Sequence, residues 1–537
     1  MMLELSFLIL FLTSISVLVF ICFFRSTSHP PSKTPCPESY PIIGNLPGLL
    51  RNRHRFHDWV ADMLSKTPSS TLQVNNCLNL SHIICTANPV NVEHLLVTNF
   101  SNYIKGYRYL DYLQELLGHG IFNVDGHLWT VQRKIASHEF NTKSLKHFVS
   151  DIVKSELSKS FMPDLFKACD HNLIIDMQEV LQKFTFTNIC KVAFGVDPES
   201  MSNLTFVEAF DDAVEIGFSR FMAPLPALWK LRRSLNIGSE KRLKEAVKVI
   251  NEFALAVIKS RQEQDGGKNQ DLLSRFMSLS SDMEFQDQEH KRKFLRDIII
   301  SFVVAGKDST STALTWFFWL IAGNPHCGSL IYNEISSAAP LPATDSGARI
   351  FSYEELKNFH YLHAALSESM RLFPPIPINS RSTVEDDILP DGTYVRKGWF
   401  ADYSAYAMGR MERVWGQDCR EFKPERWLDS DGVYQPFDQF RYPVFHCGPR
   451  MCLGKQMAYI QMKAIAAAVM HEFEILPVDG GATANKMMNP PYRLTMVLKM
   501  RGGLPVRLKR RVLNSCLEAT DEEAVNEETT DVEFVES

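Results

Sequence analysis

Paired cysteines, a surplus of basic charge and an internal repeat are all missing from this chain. Its eleven cysteines scatter from Cys22 to Cys516, without the spacing of a disulfide framework or of paired zinc knuckles. Lys and Arg number 57 against 62 Asp and Glu, a net charge of -5, which offers nucleic acid no basic surface. The last 21 residues, Leu517 to Ser537, hold nine acids and no base and read as a disordered tail. Charge is also missing from Leu5 to Phe24, twenty residues that make about 30 Å of helix.

That uncharged run is long enough to span a bilayer. It exceeds the usual apolar core of a signal peptide, and no basic segment precedes it. Glu4 before it and Arg25 and Lys33 after it put the main body in the cytosol by the positive-inside tendency. Pro30, Pro31, Pro35, Pro37, Pro41 and Pro47 then form a stiff connector. The expected division is a membrane anchor at 1–25, a proline-rich hinge at 26–48, one large body at 49–508 and the acidic tail at 509–537.

Amphipathic periodicity predicts helices over 145–168, 205–219, 239–263, 294–322, 354–371 and 454–473. Strand-like runs are fewer: 82–87, 393–404 and 493–500. The body is therefore expected to be mainly α with a smaller β-rich part.

The stretch "YPVFHCGPRMCLGKQMAYIQMKA", 442 to 464, carries two cysteines and a histidine ahead of a helix. Cys452 sits at that helix's positive end, where unpaired amides and the macrodipole favour a thiolate. Gly448 and Gly454 permit tight turns around the sulfur, and Phe445 backs it. Such a thiolate suits iron in a haem, with Arg450 placed to pair with a propionate. Two other readings stand beside it: both cysteines as core thiols, or His446 as the ligand.

Phe445, Gly448, Arg450, Cys452 and Gly454 fit the FxxGxRxCxG signature, and in this the chain resembles the cytochrome P450 haem-thiolate monooxygenases. The resemblance extends from the anchor to about Leu508. It implies the cytochrome P450 fold and haem b bound through Cys452, the iron ligand. Phe445, Gly448 and Arg450 belong to the same cofactor-binding motif, and Trp129 and Arg133 match the WxxxR whose side chains meet a propionate. Glu368 and Arg371 match ExxR, and Arg426 of "FKPERW" completes a structural Glu-Arg-Arg network with them. In "RDIIISFVVAGKDSTSTALTWFFWLIAGNP" the resemblance implies room for dioxygen at Ala305 and Gly306, a helix loosened there to free a carbonyl for water, and a proton relay through Asp308, Ser309 and Thr310. Ser309 stands where threonine is usual.

Electrons would come from an NADPH-cytochrome P450 reductase, because the chain has no GxGxxG dinucleotide loop or flavin domain of its own. Placement in the endoplasmic reticulum membrane, single-pass with the catalytic body cytosolic, follows from the anchor. The blocks "NVEHLLVTNFSNYIKG", "FTFTNICKVAFGVDP" and "YAMGRMERVWGQD" resemble the plant group that hydroxylates the ω end of fatty acids and, in some members, jasmonoyl-isoleucine. Ile104, Thr187 and Asn379 depart from that group. The implied substrate is a lipid or acyl acid in a pocket including Phe302, Ile376 and Ile378, with Lys105 or Arg108 as a carboxylate anchor. A haem-thiolate isomerase or dehydratase and a catalytically silent haem protein are the readings from other classes.

Overall fold

The computed structural model describes residues 34–511 apart from 41, 77–81, 139, 199–203, 264–270, 280–286, 339–346 and 479–489, together with Thr13 and Ser16. The expected anchor at 1–25 therefore lies outside the described residues, except for those two positions, as does the tail beyond 511. Among the described residues no helix is long and apolar enough to cross a membrane.

Ten helices shape the site: α1 (Phe56–Lys66), α2 (Gly106–Leu117), α3 (Gly126–Ser137), α4 (Met177–Phe194), α5 (Leu204–Phe221), α6 (Pro226–Leu235), α7 (Ser239–Glu263), α8 (Gln288–Gly323), α9 (His360–Leu372) and α10 (Lys455–Glu472). The strands are β1 (Thr71–Asn75), β2 (His82–Thr86), β3 (Tyr103–Ile104), β4 (Ile175–Asp176), β5 (Asn379–Thr383), β6 (Asp387–Ile388), β7 (Tyr394–Val395), β8 (Phe400–Tyr403), β9 (Phe473–Pro477) and β10 (Pro505–Arg510). Five of them form the main sheet in the order β1-β2-β8-β5-β3, and β4-β10-β9 and β6-β7 make smaller ones. The body is thus mostly helical with small sheets.

The centre is α8, 36 residues long and buried on nearly every face from Phe294 to Ile321. Its apolar length fits the P450-like expectation of a long helix over the cavity, but the expected loosening does not occur. The helix runs unbroken through Ala305 and Gly306. Gly306 also serves helix packing: a Cβ there would stand 2.6 Å from Ile189 of α4. Its missing side chain lets two helices approach closely.

Other expectations need correction. The run 354–371 is two helices, Tyr353–Asn358 and α9, parted at a non-helical Phe359. Glu334 makes the break favourable by accepting the first-turn amides of Tyr361 and Leu362 at 2.7 and 2.9 Å. The run 145–168 is a chain of short α and π turns between Thr142 and Asp170. The run 393–404 splits into β7 and β8. The segment 493–500 is no strand: Thr495 Oγ1 donates to the Val497 carbonyl at 2.7 Å and folds the chain back, leaving one isolated bridge between Tyr492 and Met500. Helix α4 was not expected because Phe184 to Asn188 are buried at consecutive positions, which erases any polar face.

One buried ion network ties the underside together. Glu368 and Arg371, one turn apart on α9, meet twice at 2.8 Å. Arg426 Nε reaches the same carboxylate at 2.9 Å, as does Trp427 Nε1. Arg371 also donates to the carbonyls of Gly409, Cys419 and Glu421, so one guanidinium fastens two passes of loop. Glu368→Ala leaves a fully buried Arg371 and a nearly buried Arg426 without their shared anion. The expected loss is about 3–5 kcal/mol, read by thermal unfolding and by the fraction of chain purified with cofactor.

Candidate active site

The turn preceding α10 is held by its own backbone. The Cys452 amide donates to the Phe445 carbonyl at 2.8 Å, and His446 and Gly448 both take positive φ, 60° and 65°. A Cβ at Gly448 would run into the Leu96 carbonyl, so that position requires glycine for contact as well as for φ. The three candidate ligands separate clearly. Cys447 is buried, its thiol donates to the Gln439 carbonyl at 3.0 Å, and burial pushes it up to about 12. His446 borders the cavity, but its Nδ1 is engaged with the Tyr403 hydroxyl at 2.7 Å. Cys452 lies on the cavity floor beside Leu453 and Gly454. Burial pushes its thiol up, while the Gly454 amide and the charges of Arg133 and Lys455 pull it back. Among the described residues no three His, Cys, Asp or Glu side chains gather, so a metal held by Cys452 must bring its remaining ligands with it.

Above the sulfur the charge is one-sided. Lys105, Arg133, Arg381 and Arg450 surround His446, and together with burial they push its pKa down to about 3. Among the described residues only Asp125 pairs with any of them, at 2.7 Å from Arg450. Burial and its cationic neighbours lower Arg450 to about 10, and the same causes drive Lys105 well below its ordinary value. Arg381 Nε has no hydrogen-bond partner although buried. Arg133 is tethered to the Met451 carbonyl, and the Arg450 guanidinium lies 4.4 Å from the Trp129 ring. Four cations with one internal carboxylate fit a planar ligand carrying two further carboxylates, as a haem does with its propionates. Phe445, behind the turn, packs 5.2 Å from Tyr459.

Helix α8 closes the opposite wall. Ala305, Gly306, Ser309 and Thr310 line the cavity; Asp308 does not. Asp308 faces away, at 3.1 Å from Lys307 Nζ and 3.3 Å from Lys499 Nζ, with Gln182 Nε2 at 3.2 Å. Burial pushes its carboxyl up, and the two lysines outweigh this and hold it below the ordinary carboxylate value. Ser309 Oγ donates to the Ala305 carbonyl at 2.7 Å, so its hydroxyl takes the carbonyl that was expected to hold water.

The cavity between these walls measures about 510 Å³. Phe302, Ile376 and Ile378 belong to its apolar lining. Lys105 and Arg108 also border it, but neither stands alone. Lys105 is part of the cation group, and Arg108 lies 3.7 Å from Asp402. Arg381, Lys499 and Asp402 were not singled out from sequence. Only the arginine following "PPIPINS" carried a local signal, a basic residue directly after a largely apolar run.

Comparison with known proteins agrees with this geometry. The sequence model of the Cytochrome P450 family matches residues 34–502. Cytochrome P450 94A1 of Vicia sativa is 44% identical over 88% of this chain and 90% of its own. Cytochrome P450 CYP94D108 of Paris polyphylla is 44% identical over 88% and 93%, and Cytochrome P450 94B1 of Arabidopsis thaliana 41% identical over 88% and 91%.

Two predictions follow from the site. Cys452→Ser is expected to abolish the red-shifted Soret band of the reduced carbon monoxide complex, and Cys447→Ser to retain it; the reverse pattern would assign the wrong sulfur. Asp308→Asn leaves Lys307 and Lys499 facing each other in a buried site and should destabilise by about 3 kcal/mol at neutral pH. Because the folded carboxyl sits below its unfolded value of about 3.9, its contribution is present at neutral pH and lost as pH falls through the folded value. The gap between wild type and Asp308→Asn, measured by denaturant unfolding, should narrow on acidification.

Proposed function

The chain belongs to the cytochrome P450 family and is a monooxygenase, and from that premise we propose that it hydroxylates the ω end of fatty acids. Electrons come from a separate NADPH-cytochrome P450 reductase, and the segment before the hinge holds the enzyme to the endoplasmic reticulum membrane with its catalytic body in the cytosol. Haem, when bound, supplies the centre that activates dioxygen and accepts those electrons.

The residues divide the remaining work. Cys452 would hold the iron of a haem. Arg133, Arg450 and Trp129 would hold its propionates, with Lys105 and Arg381 completing that set. Ser309 is the hydroxyl on the cavity side of α8: turning from the Ala305 carbonyl, it would donate its O–H into the cavity and take a proton in its place from water. Asp308 keeps Lys307 and Lys499 in place and sets the field behind that hydroxyl rather than touching the cavity. Thr310, also on the wall, is the second hydroxyl within this group.

The observation that carries the reading is the apolar-walled cavity ending on Cys452. Terminal methyl C–H bonds are the hardest in an acyl chain to cleave. A site selects them only by shape, admitting the methyl end and keeping in-chain carbons away. Phe302, Ile376 and Ile378 supply such walls, and the sequence blocks shared with plant ω-hydroxylases support the same substrate class. Jasmonoyl-isoleucine is the second reading, favoured by the polar pair Arg108 and Asp402 on an otherwise apolar wall. An isomerase or dehydratase would need no reductase, so NADPH consumption separates that class.

With reductase, NADPH and a panel of fatty acids, mass spectrometry should find mainly ω-alcohols; mainly in-chain alcohols would contradict the channel. Ser309→Ala should lower product formed per NADPH consumed severalfold with substrate binding retained, and Ser309→Thr should match or exceed the wild type. Unchanged coupling in Ser309→Ala would move the role to Thr310.

A further inference from the structure

Helices α4 and α8 pack against each other along one wall of the cavity, and one face of α4 carries the polar groups between them. Gln182, Thr185, Asn188 and Val192 recur on that face at helical spacing. Gln182 Nε2 donates to Asp308 Oδ1 at 3.2 Å, and Thr185 Oγ1 donates to the Lys307 carbonyl at 2.6 Å. Ile189 packs against Gly306. Asn188, its neighbour in the chain, lines the same cavity as Ala305, Gly306 and Ser309.

Asn188 differs from these neighbours in being unused. It is 1% exposed, and neither its Oδ1 nor its Nδ2 has a hydrogen-bond partner. A side-chain amide brings two N–H donors and an acceptor oxygen. Leaving all of them unpaired in an interior is destabilising, and an apolar residue of the same size would avoid that loss. Internal water meets such a demand where polar partners and room coincide, and the cavity supplies the room. The hydrocarbon part of an acyl chain cannot serve Asn188, because it has nothing to donate or accept.

The same wall has a need for water. Ser309 occupies the Ala305 carbonyl, which is thereby closed to water, and Asp308 lies behind α8 in its clamp with Lys307 and Lys499. Once Ser309 has donated its proton into the cavity, the replacement has to arrive from the cavity side. We propose that Asn188 holds the water that supplies it, Nδ2 donating to that water's oxygen and Oδ1 accepting from a second water that replenishes it. In the exchange the Ser309 O–H bond breaks toward the cavity, a new O–H bond forms with a proton from the held water, and that water recovers its proton from solvent. Asn188 touches no substrate and is a positioning residue. The inference rests on the reading that Ser309 is the proton donor, and it names the group that keeps that donor supplied.

Asn188→Leu keeps the size of the side chain and removes its polar atoms. Denaturant unfolding of the purified holoenzyme should find this variant at least as stable as the wild type. With reductase, NADPH and a fatty acid, its product per NADPH should fall severalfold while the spectral shift on substrate binding is unchanged. The ratio of its turnover rates in ordinary and heavy water should rise about twofold, because proton supply then limits the reaction; a merely structural role would not move that ratio. Asn188→Ser, which still binds water, should keep most of the coupling. A crystal structure of the wild-type holoenzyme, which needs no variant to fold, should show ordered water within about 3.2 Å of Asn188 Oδ1 or Nδ2. No water there, or an unchanged coupling and isotope ratio in Asn188→Leu, would overturn the proposal. Ser309→Ala separates the two levels. A loss of coupling in Ser309→Ala with none in Asn188→Leu keeps the role of Ser309 and overturns that of Asn188, whereas a loss in Asn188→Leu with none in Ser309→Ala overturns the role of Ser309 and leaves Asn188 as the holder of the cavity's water. Because the two act in series, the double variant should lose no more than Ser309→Ala alone; a fully additive loss would overturn the supply of one by the other.

Discussion

Four buried or half-buried cations converge on one end of the cavity with a single carboxylate among them, and the arrangement of the site follows from that imbalance. Lys105, Arg133, Arg381 and Arg450 come from four separate parts of the chain: the start of α2, α3, β5 and the turn before α10. Like charges held together in a low-dielectric interior repel and lose hydration. A fold that brings them together needs anions from elsewhere, and the effect on His446, lowered to about 3, registers the surplus. In our account the anions would be the two propionates of a haem held by Cys452.

The two walls of this site are built differently. Beneath it, position is set by rigid backbone: the Cys452 to Phe445 hydrogen bond, the glycine pressed against Leu96, and the Glu368, Arg371 and Arg426 network that fastens the surrounding loops. Above it, α8 carries chemistry on one face and charge on the other. Ser309 and Thr310 reach the cavity, while Asp308 turns back into a clamp with Lys307 and Lys499. Lys307 also reaches Asp211 at 2.6 Å, and Asp211 is 38% exposed at its side chain. The charged face of α8 is therefore connected to the surface, while its cavity face stays apolar apart from hydroxyls.

Much of this was legible in local sequence, and the reasons are physical. An i,i+3 pair such as Glu368 and Arg371 lies on one helical face wherever the helix goes. A cysteine between two turn-forming glycines at a helix start has few alternatives. What spacing does not carry is orientation about a long buried helix. Asp308 was assigned to the cavity side of α8 from its chemistry, and packing turns it toward Lys499, while Gly306 meets both the cavity and Ile189. Nor does local sequence carry sheet register: Asp402 meets Ser380 only because β8 pairs antiparallel with β5, and Arg381 joins the cation group only once β5 is placed against α2. The apolar runs at 145–168 and 493–500 gave the wrong regularity because long-range packing, not periodicity, decides their path.

The central claim is that this cation group is complementary to a dianionic haem lying on Cys452. A crystal structure of the purified haem-containing protein tests it most directly. The expected result is iron bonded to Cys452 Sγ, with both propionates within about 4 Å of Arg133, Arg381, Arg450 or Lys105. Propionates turned into solvent or paired with other residues, or iron bound through Cys447 or His446, would contradict it.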